Sequence, residues 1–209
     1  MTDPWAFGWT QLLTLVGFLI TIVIAVSGFR TFGRWKRERI EERRIDIAFE
    51  ALSIARESKI VFRRIRDSHG FEGEWRNMPI KEGESVSDRN MRGGPYATLV
   101  RINAHADYFA RMSRLQPQAI AVFGDAAEAA FERFNKANDF VRDSATFLAW
   151  QPVRPEMPTQ EDFDMRMSMR GDLWADFGAD DRVERELSAF RSEIEKLFRP
   201  VIERRFRIH

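Results

Sequence analysis

The opening stretch of this sequence carries no ionisable side chain from Trp5 to Phe29, a run of 25 residues. As an α-helix rising about 1.5 Å per residue, the run would be roughly 37 Å long, which exceeds the ~30 Å hydrocarbon core of a bilayer. A helix suits lipid because it satisfies its own backbone hydrogen bonds. The pattern therefore predicts one transmembrane helix over residues 9–29, preceded by a short external N-terminus at residues 1–8.

Charge is distributed unequally about this run, and the imbalance predicts its orientation. Only Asp3 and the amino terminus precede it, whereas residues 30–44 form a basic juxtamembrane segment. Because Lys and Arg flanking a membrane helix stay in the cytoplasm, residues 45–209 are expected there and the N-terminus outside. The cations nearest the lipid, and the predicted headgroup contacts, are Arg30, Arg34, Lys36 and Arg37. A topology signal alone is the alternative explanation for them.

Aromatic side chains flank the run in the manner of a membrane-interface belt, with Trp5 and Trp9 outside and Phe32 and Trp35 inside. A cleaved signal peptide is the alternative, because Ala25-Val26-Ser27 resembles a small-residue cleavage site. Against it, the run is longer than the usual apolar region of about 7–15 residues, and no Lys or Arg precedes it. We therefore expect a permanent anchor.

Small side chains recur along one face of the predicted membrane helix at steps of three and four residues. They are Thr10, Thr14, Gly17, Thr21, Ala25 and Gly28. Such a row lets a second helix approach closely, and threonine hydroxyls can bond across the contact. It predicts a packing seam centred on Thr14, Gly17 and Thr21. In the alternative interpretation, each hydroxyl bonds a carbonyl of its own helix.

Composition excludes several classes of function. Beyond residue 29, 33 Lys and Arg are matched by 31 Asp and Glu, which argues against a nucleic-acid partner. The chain has no cysteine, so disulfides and thiolate metal sites are excluded. His69, His105 and His209 do not follow a glutamate at metal-ligand spacing, and no phosphate loop or nucleophile elbow occurs. We predict no cofactor, metal, catalytic residue or small-molecule substrate.

Helical periodicity dominates the remaining chain, so the predicted fold class is all-α, with a cytoplasmic antiparallel bundle after the membrane helix. Four long helices are expected at 34–67, 95–115, 125–150 and 181–199. The loops between them are expected near 68–94 and 151–180. Pro95 is expected to open the second helix, Pro117 to start a short turn, and Pro200 to break or kink the last helix. Pro152, Pro155 and Pro158 predict a stiff connector.

Apolar stripes along these predicted helices indicate which side chains form the core. The first long helix carries two stripes, comprising Ile45, Ala48, Phe49, Leu52 and Ala55, and Ile47, Ala51, Ile54, Val61, Phe62 and Ile65. The stripes of the later helices comprise Leu99, Ile102, Ala106 and Phe109; Ala127, Phe131, Phe134, Ala137 or Asn138, Val141, Ala145 and Leu148; and Val183, Leu187, Phe190, Ile194 and Leu197.

A methionine-rich segment at residues 163–177 predicts a possible partner surface. Its proposed helical face comprises Phe163, Met167, Trp174 and Phe177. Flexible methionine and large aromatic side chains suit adaptable binding surfaces. Burial of the segment against the bundle core is the alternative.

Several short motifs carry a resemblance. They are Arg43-Arg-Ile-Asp-Ile-Ala-Phe-Glu-Ala-Leu52, Glu57-Ser-Lys59, Phe71-Glu-Gly-Glu-Trp75, Gly94-Pro-Tyr96, Leu115-Gln-Pro117 and Ala121-Val-Phe-Gly124. With them, residues 1–150 resemble a family of uncharacterised bacterial single-pass membrane proteins. The resemblance implies a location in the bacterial inner (plasma) membrane and brings no activity.

The expected function is non-enzymatic. The chain would be a membrane-anchored helical interaction module or accessory subunit that holds a partner at the cytoplasmic face, its contacts being lipid and another membrane protein or a second copy of itself. The first alternative is signal relay from a membrane partner through a helix that continues across Gly28 and Gly33. A less favoured third class is an enzyme whose pocket involves the 68–94 loop.

Overall fold

The computed structural model describes residues 8–70, 72–150, 159–177 and 181–206, and all regular structure in these ranges is helical. Its six α-helices are α1 (Trp9–Ile65), α2 (Val86–Ala104), α3 (Ala106–Phe123), α4 (Asp125–Trp150), α5 (Gln160–Leu173) and α6 (Arg182–Phe206). A 3₁₀ turn covers Glu72–Trp75. The described ranges contain no strand, which confirms the all-α class.

The chain divides into two compact units, Met1–Ile45 and Asp46–His209. The described part of the first unit is almost entirely helix, and its backbone continues without a break through Gly28 and Gly33. This helix is long and apolar enough to cross a membrane, with a mean hydropathy of 2.5 over its most apolar stretch, none of which is buried. The first unit therefore offers one candidate membrane span.

The second unit is organised around α4, which packs against α2, α3, α5 and α6. The predicted α4 stripe is confirmed as buried from Ala127 to Leu148. The stripe combines small alanines with the large rings of Phe131 and Phe134, so neighbouring helices can approach closely at the alanines. The ring of Phe134 lies 5.8 Å from that of Phe62, 6.3 Å from Phe109 and 5.3 Å from Phe190, which joins α1, α3, α4 and α6 in one core.

The α1 and α6 stripes are confirmed with three adjustments. Most predicted positions are buried, but Phe49 is 50% exposed and Leu52 is only partly buried. In α6, Phe198 is fully buried, and the predicted Leu197 only packs against the core from its edge. All three positions lie at the edge of the apolar face, which periodicity locates only to about one position in a helix of 3.6 residues per turn.

The prediction that residues 68–94 form one long loop is wrong, because α2 begins at Val86. Ser85 caps this helix, and its hydroxyl accepts a hydrogen bond of 3.1 Å from the backbone N–H of Asp88. Pro95 lies buried within α2 rather than at its start. The cap decides where the helix begins, since it satisfies a backbone donor that would otherwise be exposed at the first turn.

The predicted 95–115 helix is interrupted at His105, and α3 restarts at Ala106. The interruption shifts the buried face, so the predicted core residue Ala106 is exposed, while Tyr108, Met112 and Leu115 are buried. Pro117 lies inside α3, which ends at Gly124 with a φ of +68°. Only glycine adopts that conformation readily, which explains the sharp stop.

Pro200 does not break α6, which continues to Phe206. Pro117 and Pro200 both occupy exposed positions, where water can satisfy the carbonyl that loses its donor. In the predicted 151–180 loop, α5 forms behind a capping box between Thr159 and Asp162. The connector prolines, Pro152, Pro155 and Pro158, lie outside the described residues.

Two adjacent glycines of α2 allow two tryptophan rings to approach its backbone. A β-carbon added at Gly93 would lie 2.8 Å from Cδ2 and Cε2 of Trp75. One added at Gly94 would lie 3.1 Å from Cζ2 of Trp174. The 3₁₀ turn and the segment after α5 are thereby packed against α2, since no larger residue leaves room for these rings.

We expect Gly93→Ala to lower the free energy of unfolding by about 1–2 kcal/mol. Overpacking costs about 1–3 kcal/mol, and the better helix propensity of alanine offsets only about 1 kcal/mol of it. Thermal unfolding of the full chain in detergent, followed by circular dichroism, measures the change. Gly33→Ala is the control, because nothing lies within 4 Å of its added β-carbon. In a Trp75→Leu background, Gly93→Ala should become neutral or stabilising, and persistence of the loss there would contradict the explanation.

Candidate functional site

The apolar segment of α1, residues 9–29, exposes large side chains on all sides of the helix. Phe18 is 70% exposed and Ile24 is 66% exposed, and they differ little from their neighbours. The segment has no covering layer among the described residues. Residues 1–7, including the predicted interface residue Trp5, lie outside the described part. A soluble domain rarely exposes a continuous apolar surface of this kind, so the segment is the first candidate site.

The predicted small-residue row lies along this segment, with Thr14, Gly17, Ala25 and Gly28 exposed. The structure favours the alternative interpretation at one position, because the hydroxyl of Thr21 donates a hydrogen bond of 2.8 Å to the carbonyl of Gly17. Added β-carbons at Gly17 and Gly28 would meet open space. The row is therefore accessible to another helix, but the Thr21 hydroxyl is already satisfied. The side chain of Thr10 lies outside the described part.

The predicted interface residues Trp9, Phe32 and Trp35 are all exposed. The rings of Phe32 and Trp35 contact each other with centroids 5.8 Å apart. The predicted headgroup contacts Arg30, Arg34, Lys36 and Arg37 are also exposed, and the guanidinium of Arg37 donates a 3.2 Å bond to the carbonyl of Gly33. These aromatic and cationic groups occupy the same short stretch of helix.

The predicted partner surface is only partly assembled. Phe163 and Met167 are exposed on one face of α5. Trp174 is the C-cap of that helix, and Phe177 lies beyond it, so the four residues do not share one helical face. The Trp174 ring packs on the core and against the Phe177 ring, 5.6 Å away. The alternative interpretation therefore applies to Trp174, while Phe163, which is 55% exposed, remains accessible.

A buried arginine joins the end of α1 to the connection between α5 and α6. Arg66 donates hydrogen bonds of 2.8 Å to the carbonyls of Gly171 and Asp172 and one of 2.9 Å to the carboxylate of Asp181. Three of its donors are thereby satisfied in a side chain that is almost fully buried. A guanidinium suits this role because its donors point in fixed directions.

The carboxylate of Asp172 continues the same network and is itself buried. It accepts hydrogen bonds of 2.6 Å from the hydroxyl of Ser144 and from two nitrogens of Arg182. The guanidinium of Arg182 also lies over the ring of Phe140, 4.3 Å from its centroid. Each buried charge in this network is paired, which is the condition for tolerating it in the interior. The network has a structural role in fastening α4, α5 and α6 together.

A second buried pair holds the start of α2. Arg92 and Glu84 form an ion pair in which both side chains are almost fully buried. Arg92 also donates a 2.6 Å bond to the carbonyl of Ala149, and Lys81 donates to the carbonyl of Trp150. The pair therefore ties residues 81–92 to the C-terminal end of α4, whose last carbonyls need donors.

Ionisation in the second unit follows these contacts. Burial raises the pKa of Glu84, but hydrogen bonds from the Lys81 backbone and from Arg92 outweigh it, and the pKa is lowered overall. The backbone N–H of His69 lowers the pKa of Asp67, with further help from Arg101. Burial raises the pKa of Tyr108, whose hydroxyl donates to the carbonyl of Ile54. Both carboxylates are therefore ionised at neutral pH, and the phenol is not.

Two polar clefts border the last turns of α1. The larger, of about 550 Å³, is lined by Lys59 and Arg63 of α1, by Asp67 two residues after that helix, and by Asp181 and Glu184. The smaller, of about 360 Å³, shares Lys59, Arg63 and Asp67 and adds Ile60 and Arg64. The cations and the isoleucine of the smaller cleft, with Arg56 one turn earlier, form the α1 basic face, defined by Arg56, Lys59, Ile60, Arg63 and Arg64.

The spacing of the basic face is visible in the sequence. Its members recur at helical intervals, so cations surround one apolar residue on a single helix face. This spacing does not by itself indicate a binding surface, because cations at the C-terminal end of a helix are usually explained by the helix dipole. Only the structure shows that Ile60 is 57% exposed there.

Comparisons with protein-family models, curated proteins and solved structures found no match to this chain. Within the described residues, no group of three His, Cys, Asp or Glu side chains comes together as a metal site. The resemblance to single-pass membrane proteins thus stays a prediction. The surfaces that bear on function are the apolar segment, the exposed part of α5 and the α1 basic face.

Acidification should destabilise the second unit partly through Glu84. Its folded-state pKa lies below the ordinary value of 4.5, so its contribution is complete above that pH and is lost as the pH falls through the lower folded value. Glu84→Gln should cost about 3–5 kcal/mol at neutral pH, because Arg92 stays buried without a counter-charge. The difference in melting temperature between the wild type and Glu84→Gln should shrink as the pH falls from about 7 to about 3. Asp139→Asn, at an exposed position of α4, is the control; a Glu84→Gln deficit that stays constant with pH would contradict the assignment.

Proposed function

We propose that this chain is a membrane-anchored helical interaction module, or accessory subunit, that holds a partner at the cytoplasmic face of a bacterial inner membrane. The apolar segment, residues 9–29, would be a single transmembrane span, and the second unit an antiparallel helical bundle in the cytoplasm. The observation that carries the proposal is the complete exposure of the apolar segment in a regular helix. Lipid is the solvent in which that exposure costs nothing.

The groups that follow the segment support the proposed orientation. Phe32 and Trp35 suit the interfacial layer, where an aromatic ring has one apolar and one wet side. Arg30, Arg34 and Lys36 lie in the same stretch, exposed to solvent. Cations there favour retention of the following chain on the cytoplasmic side. The attraction of each cation to anionic headgroups contributes about 1 kcal/mol to membrane binding.

Anchoring supplies a mechanism that needs no catalytic group. A tether confines the second unit to a thin layer beside the membrane, which raises its effective concentration for partners held in the same layer. Weak contacts then suffice for association. The exposed part of α5, with Phe163 and Met167, and the α1 basic face are the surfaces available for them.

Signal relay is the second proposal, and helical continuity favours it. The backbone of the first unit stays helical through Gly28 and Gly33, the positions at which a flexible break was conceivable. A motion imposed on the apolar segment by a membrane partner would then reach at least the end of this unit. Gly33→Pro, which interrupts the helix, should abolish relay and leave anchoring intact.

We expect Leu15→Arg combined with Leu19→Arg to release the chain from membranes. Each arginine near the centre of a span costs about 3 kcal/mol on insertion scales. Flotation of membranes after alkaline carbonate washing measures the effect. Phe163→Arg combined with Met167→Arg is the matched control, because it places the same two charges at the same spacing on exposed positions of α5. Loss of the wild-type chain in the carbonate wash, or retention of the Leu15/Leu19 variant, would contradict the proposed anchor.

The proposed orientation has a separate test. A green fluorescent protein fused after His209 should fluoresce, because it folds in the cytoplasm, and alkaline phosphatase fused at the same place should be inactive. Replacing Arg30, Arg34, Lys36 and Arg37 together by serine should weaken this preference, since it removes the nearest retained charges. An active phosphatase fusion with the unaltered chain would place residue 209 outside the cytoplasm and contradict the proposed orientation.

A further inference from the structure

Charge pairing in the second unit leaves one cluster of cations unused. Elsewhere arginines meet acids across helices, as in the pairs Arg101–Glu74, Arg111–Glu57 and Arg133–Glu186. On the α1 basic face, Lys59, Arg63 and Arg64 have no ion-pair partner among the described residues. Arg56 reaches Glu195 only at 4.0 Å with its own side chain 74% exposed. Four cations within nine residues thus add little to the stability of the fold.

Acids that face this cluster from neighbouring elements are largely engaged with other groups. Asp181 accepts from Arg66 and also caps the first turn of α6. Glu184 pairs with Arg191. Asp67 accepts hydrogen bonds from His69, and these lower its pKa. The remaining lining acid of the larger cleft, Asp176, is exposed. The face therefore keeps an excess of positive charge.

Shape and polarity make this face more than a set of surface cations. Ile60 lies between the cations and is 57% exposed, although α1 buries apolar residues on its opposite side. The two clefts, of about 550 and 360 Å³, border the face and share Lys59 and Arg63. An apolar centre surrounded by cations matches the usual anatomy of a protein interface.

We propose that the α1 basic face binds an acidic amphipathic helix of a partner protein. Apolar side chains of that helix would cover Ile60, and its Asp or Glu side chains would pair with Lys59, Arg63 and Arg64. The inference rests on the proposed interaction role and gives that role a surface and a partner chemistry. Charge complementarity favours an acidic partner. The apolar centre favours a helix with one apolar face over a uniformly charged polymer.

The test uses the full chain in a non-ionic detergent and a fluorescent peptide of about 15 residues with leucine on one face and glutamate on the other. Fluorescence anisotropy measures the affinity at low and at physiological salt. Lys59→Glu combined with Arg63→Glu should weaken binding about a hundredfold, because attraction becomes repulsion at two positions. Ile60→Asn should weaken it about tenfold with little change in salt dependence.

The matched control is Arg114→Glu combined with Arg142→Glu. It changes the net charge by the same amount at two exposed cations on α3 and α4, which have no ion-pair partner among the described residues. Binding by this control should stay within about twofold of the wild type. The face variants should unfold at the same temperature as the wild type. All variants are compared with the wild type in the same detergent, so the result does not depend on membrane insertion, which flotation tests separately.

Three results would overturn the proposal. One is absence of peptide binding by the wild-type chain, and another is an equal loss in the face variant and in the charge-matched control, which would mean unspecific attraction. The third is selective binding of the face to vesicles of anionic lipid in place of the peptide. Selective loss in the two face variants supports the proposal, whatever flotation shows about the anchor.

Discussion

The proposed function depends on one physical constraint, the exposure of the apolar side chains of residues 9–29 along a regular helix. Burying even a single leucine-sized side chain stabilises by about 1.5–3 kcal/mol, so residues 9–29 would strongly resist exposure to water. In the first unit, helix formation satisfies the backbone but leaves these side chains uncovered. In the second unit, the apolar face of α4 is buried against the surrounding helices. This contrast supports the proposal that residues 9–29 lie in lipid.

Periodicity predicted the fold where helices are long and regular, as in α4 and most of α6, since a repeated apolar stripe determines which face is buried. Periodicity did not predict the helix boundaries that single residues determine. Ser85 caps α2, which begins at Val86, nine residues before Pro95, and the break at His105 rotates the next stripe. The prolines at 117 and 200 do not end their helices, because water can satisfy an exposed carbonyl. Caps and local breaks have no periodic signature.

The candidate site, like the fold, was predictable from the sequence only in part. The apolar segment and its flanking cations follow from composition, but the four residues of the predicted partner surface are divided between α5 and the chain after it. Neither the Arg66 network nor the hydrogen bond from Arg92 to Ala149 could be inferred, because each joins residues distant in sequence. The α1 basic face was readable as a pattern. Its significance emerged only when the structure showed which cations are paired and that Ile60 is exposed.

The most direct measurement exploits the absence of cysteine from this chain, which leaves an introduced thiol as the single reactive site. Leu19→Cys places that thiol in the middle of the apolar segment, and Ser168→Cys places one on an exposed position of α5. Opened membrane vesicles are treated with a charged maleimide that reaches both faces. If residues 9–29 span the membrane, position 168 should be labelled rapidly and position 19 not at all until the membrane is dissolved and the chain denatured. Equal labelling at both positions before that step would contradict the proposed span.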